Sequence, residues 1–219
     1  MKNKMRTYQG TMPKEEVLEQ LAEHARLDQI VQGRYWERSG PSSLFRGCAV
    51  GCLTHDPDGG HFMFPELFGL PVWFALLIDS VFEGLAVEDA RLWPMRVMSA
   101  VPEGVVVDDS VRDLLAVRRL RELVLPLQDF WSEEVRGLVV EAVDGVVLAL
   151  ETGEGLSAAR SAAWAAESAT ESAQSAESSA ARSAAWAAES ATAKQSAGAS
   201  AAWAAESDLI IEVLEGLNP

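Results

Sequence analysis

Cysteine, histidine and tyrosine are scarce in this chain, at 2, 3 and 2 of 219 residues. Two cysteines, Cys48 and Cys52, are too few for a disulfide scaffold, so reduced thiols are expected. Basic residues are short as well. Lys and Arg total 18 against 33 Asp and Glu, which leaves a formal charge of −15. Such a surface repels phosphate backbones and disfavours ordinary nucleic-acid binding. It suits a protein that imitates nucleic acid or docks on a basic partner, and it also keeps an alanine-rich chain soluble. Long apolar runs are missing. The longest, Leu70 to Phe82, is cut by Asp79 and is too short to cross a bilayer. No N-terminal stretch joins a basic start, an apolar segment and a small-residue cleavage site. A cytoplasmic protein away from membranes is therefore expected. Catalytic motifs are also lacking: there is no glycine-rich phosphate loop, no HExxH, no GxSxG and no carboxylate cluster with metal spacing. Strand signals are sparse, with only Val105–Val107 and Gly145–Leu150 able to tolerate one.

What is present is alanine. Ser157 to Thr170 reads SAARSAAWAAESAT, Ser179 to Thr192 repeats it without a change, and a shorter copy, SAAWAAES, runs from Ser200 to Ser207. Alanine loses no side-chain entropy on entering a helix, so this tail reads as helix. The offset of 22 residues is about six turns, which returns equivalent residues to nearly the same face. Small residues let backbones approach, and Trp164, Trp186 and Trp203 supply bulk. They read as packing residues, with an aromatic ligand platform or an ice-binding face at Thr170 and Thr192 as the alternatives. A hairpin or short bundle over 156–217 is expected, with breaks at Ser178–Ser179 and Gly198. An exposed Ala/Trp seam would also be sticky, which points to a homodimer through the tail.

Ahead of the tail, the pattern predicts a flexible 1–10 segment and a helical globular domain over 11–151. A first helix runs from Pro13 to Gly33, opened by proline and the acids Glu15 and Glu16. Arg34 to Ser43 reads as a loop. Arg46 to Leu53 reads as a close-packed helical turn or a buried loop, and HDPDGG from His55 as a turn. Val72 to Glu83 is apolar nearly all round and reads as the central helix. Glu88–Ala100, a helix from Asp108 to Leu125, and another from Ser132 to Leu150 complete an all-α chain whose 48% hydrophobic content argues against disorder.

Three constellations could carry chemistry. In GCAVGCLTH, Cys48, Cys52 and His55 fall at i, i+4 and i+7 on one helix face, with His61 beyond the turn. Two thiols and two imidazoles suffice for tetrahedral zinc, although the spacing is not that of a finger or ribbon. The same residues read as a thiol nucleophile activated by His24, His55 or His61, or as small buried hydrophobes beside Gly47, Ala49 and Gly51. On the first helix His24, Asp28 and Gln32 share a face and form a polar pocket if Tyr35 and Arg46 stand nearby. Arg118, Arg119 and Arg121 form the one basic cluster, which either clamps a phosphate or carboxylate or pairs with Asp113 and Glu122.

Through QGRYW, GCAVGCLTH, LFGLPVWFALLIDSVFEGL and RLWPMRVMSAVPEG, the chain resembles uncharacterised phage and prophage proteins. Those pair a GCAVGC-type N-terminal half with an Ala/Trp/Ser repeat tail. The resemblance implies a mobile-element setting and transfers no activity and no residue role. In that setting a small acidic chain without catalytic motifs is expected to be a binding protein, with no cofactor. It would inhibit or sequester a host defence protein or a nucleotide messenger in the host cytoplasm. A zinc- or thiol-dependent enzyme and a structural assembly protein acting through the tail are the alternatives.

Overall fold

The computed structural model describes residues 5–27, 29–33, 36–39, 44–56, 60–126, 132–152 and 189–218. Among these the chain is predominantly helical, and no helix is long and apolar enough to cross a membrane. It divides into two compact units. One joins Met1–Ser110 to Ser200–Pro219, and the other is Val111–Ala199. The repeat copy at 157–170 and residues 179–188 of the second copy, with Trp164, Trp186, Thr170 and the expected break at Ser178–Ser179, lie outside the described residues.

The first unit is built around its shortest helix. Helix α1 is Lys14–Arg26, strands β1 and β2 are Trp36–Ser39 and Leu44–Gly47, and α2 is Ala49–Thr54. Then come α3 at Gly60–Phe68, α4 at Val72–Gly84 and α5 at Val87–Ala100. Helix α2 touches α1, α3, α4, α5 and β2, and its residues Ala49 to Leu53 are all buried. Only small side chains permit so many neighbours around six residues, which is why GCAVGC reads as it does. Helix α4 buries Phe74, Ala75, Ile78, Val81 and Phe82, the i, i+4, i+7 stripe of a one-sided helix, and leaves Leu76 54% exposed. Trp93 of α5 is fully buried, and its indole N–H donates to the Ile78 carbonyl at 3.0 Å.

Several expectations need correction. The first helix stops at Arg26 rather than Gly33, because the chain beyond it becomes extended. Val31 N–H donates to the Gly47 carbonyl at 2.9 Å, and Gly47 N–H to that of Gln29 at 3.0 Å. The β-branched Ile30 and Val31 suit that edge better than a helix. The stretch expected as a loop holds β1, paired antiparallel with β2 so that Trp36 faces Gly47 and Glu37 faces Arg46. Gly145–Leu150, tolerant of a strand, is helical, and α3 was not expected at all. Helix α5 runs unbroken through the buried Pro94.

Nor are residues 5–10 loose. Tyr8 N–H donates to the Phe68 carbonyl at 2.7 Å, Thr7 N–H to that of Val105 at 2.9 Å, and Thr11 N–H to that of Glu66 at 3.0 Å. The Tyr8 ring is buried, with its hydroxyl on the Met98 carbonyl. This strap ties the end of α3 to the loop after α5. Polar letters hid it because its bonds come from the backbone.

The last helix, α8 at Glu189–Glu215, passes straight through Gly198, since one glycine costs only about 1 kcal/mol among strong helix formers. Its final part belongs to the first unit, where Leu209, Ile210, Val213 and Leu214 are buried. The Trp203 ring fills the space a Cβ on Gly84 would need. Trp203→Ala is expected to cost about 2–3 kcal/mol and Gly84→Ala about 1–3 kcal/mol. With Trp203 already removed, Gly84→Ala should cost little, so urea midpoints of the two single variants and the double should be clearly non-additive.

The second unit contains most of α6, Asp109–Arg119, which winds into a π-helical turn at Leu120–Val124, and α7, Glu133–Thr152. Val117, Val143 and Val147 form its buried centre, with Leu120, Val124 and Leu150 against them.

Candidate functional site

The cysteine element folds as a helix, but its donors turn apart. Cys48 is the N-cap of α2, whereas His55 is its C-cap with φ +54°, so His55 leaves the helical face that the spacing implied. The His55 Nε2 meets Nε2 of His24 at 2.7 Å, a contact that requires at least one neutral ring. His61 Nε2 lies 3.3 Å from Asp79. The Cys52 thiol faces the carbonyls of Gly47 at 3.5 Å and Gln29 at 3.7 Å. Among the described residues no three His, Cys, Asp or Glu stand together as a metal site, which corrects the zinc set Cys48, Cys52, His55 and His61.

The thiols are also in the wrong protonation regime for a nucleophile. Burial, reinforced by Asp79, pushes Cys48 far up, and burial pushes Cys52 up to about 12. A thiolate at neutral pH is therefore a minor species. Both thiols should react with an aromatic disulfide reagent roughly a hundredfold more slowly than free cysteine at pH 8, and at the normal rate in denaturant. A fast native-state reaction would revive the nucleophile.

The other pocket residues also separate. Asp28 and Tyr35 lie outside the described residues. Gln32 is beyond the helix that carries His24, and its amide donates to the carbonyls of Phe82 at 2.6 Å and Leu85 at 2.9 Å, closing the end of α4. Arg46 is exposed on β2. In the second unit Arg118 is held bidentately by Glu122, through Nε at 2.6 Å and Nη2 at 2.8 Å, and Arg121 lies 2.9 Å from Glu151. Arg119 is exposed. Arg118 and Arg121 thus already face carboxylates, the kind of pairing that the acidic neighbours suggested.

A cleft that no motif announced lies elsewhere in the first unit. It is an open groove of about 400 Å³ between the α3–α4 turn and the start of α6. Pro65, Leu70, Trp73 and Val106 make apolar walls, and Asp108 and Asp109 stand in its lining. The Asp108 carboxylate is fixed as a helix cap, accepting from the Ser110 N–H at 3.0 Å and from the Ser110 hydroxyl. The α3–α4 turn is made possible by Gly69, at φ +68°. The sequence signal was present as LFGLPVW followed at a distance by VVVDD, but nothing local says that these two segments meet.

No protein-family model, curated protein or solved structure matches this chain.

Proposed function

We propose that the chain is a non-catalytic binding protein whose target is a basic polypeptide. In the phage-like setting that the resemblance implies, this target would be a host defence factor, inhibited or sequestered in the host cytoplasm. The observation that carries the reading is the Trp73 cleft with Asp108 and Asp109 in its lining, on a chain of net charge −15. Apolar walls supply affinity, and the acidic field steers a basic partner and rejects anionic ones. A nucleotide messenger is the poorer target, because Arg118 and Arg121 are already engaged by Glu122 and Glu151. A thiol enzyme is poorer still, because burial raises both cysteines.

The test is affinity purification from bacterial cells at low and at high salt, with native mass spectra of what is retained. A basic polypeptide recovered in stoichiometric amount, and lost as salt rises, is the expected result. A retained mass of several hundred daltons that disappears on denaturation, with no polypeptide, would overturn the reading in favour of a nucleotide.

A further inference from the structure

We draw no further inference here: the strongest candidate, the His24–His55 pair where α1 meets the end of α2, holds its two Nε2 atoms 2.7 Å apart as a hydrogen bond between the rings and belongs to no group of three metal-ligating side chains among the described residues, so it carries nothing beyond the pH dependence it lends the fold.

Discussion

Gly69→Ala should cost about 3–5 kcal/mol, a large share of the stability of an ordinary domain. Gly69 sits at φ +68°, where an alanine pays roughly 1–2 kcal/mol for its Cβ alone. That Cβ would also overlap the carbonyl oxygen of Arg6, a backbone atom with no rotamer to escape into. Arg6 cannot retreat easily, because its neighbours Thr7 and Tyr8 are bonded to Val105 and Phe68. The strap, the end of α3 and the wall of the cleft would have to move together. Urea denaturation and proteolysis of the variant would show this. A midpoint within error of the parent would mean that the strap is not held as described.

Acid should weaken the first unit long before carboxylates titrate generally. An unperturbed imidazole protonates near pH 6.5. In the fold His24 is held down to about 4, first by burial and then by the neighbouring His55, which burial also lowers. Between those values the unfolded chain binds more protons than the folded one, so stability must fall as pH falls through this window. The loss begins near pH 6.5 and is complete near pH 4, with a slope of up to about 1.4 kcal/mol per pH unit for each proton. For His24 the total is about 3 kcal/mol at most. Urea midpoints at pH 7, 6, 5 and 4.5 would trace it, and His24→Leu should flatten the curve. A parent curve already flat over that range would exclude the neutral pair as a stabilising contact.

These two effects mark what a sequence reader can and cannot see. The span of helix α4 was legible because Pro71 opens it and Gly84 ends it, but its apolar letters run nearly all round whereas only one stripe is buried and Leu76 is exposed. The buried character of GCAVGC was legible from side-chain size alone. By contrast, α1 was overextended because Gly33 reads as its stop signal, which the pairing of Ile30 and Val31 with Gly47 overrides. The strap was invisible because its stability lies in backbone bonds to residues about 60 to 98 positions away, such as Phe68 and Val105. Candidate sites fared in the same way. Cys48, Cys52 and His55 were correctly placed on one short element, but helix termination at His55 turned its ring toward α1. The cleft depends on Trp73 meeting Asp108, a proximity that no local pattern encodes.

The docking of Trp203 on Gly84 also has a temporal side. During synthesis Met1–Ser110 emerges first, yet one of its walls belongs to Ser200–Pro219, which follows the 89 residues of Val111–Ala199. At roughly 5–20 residues per second that interval lasts about 4 to 18 s. For its duration Gly84 lacks its aromatic cover, and the nascent domain is open to chaperones, proteases or a partner arriving early. Repeat copy number then acts as a clock. Inserting one 22-residue unit would delay completion of the domain by about 1 to 4 s.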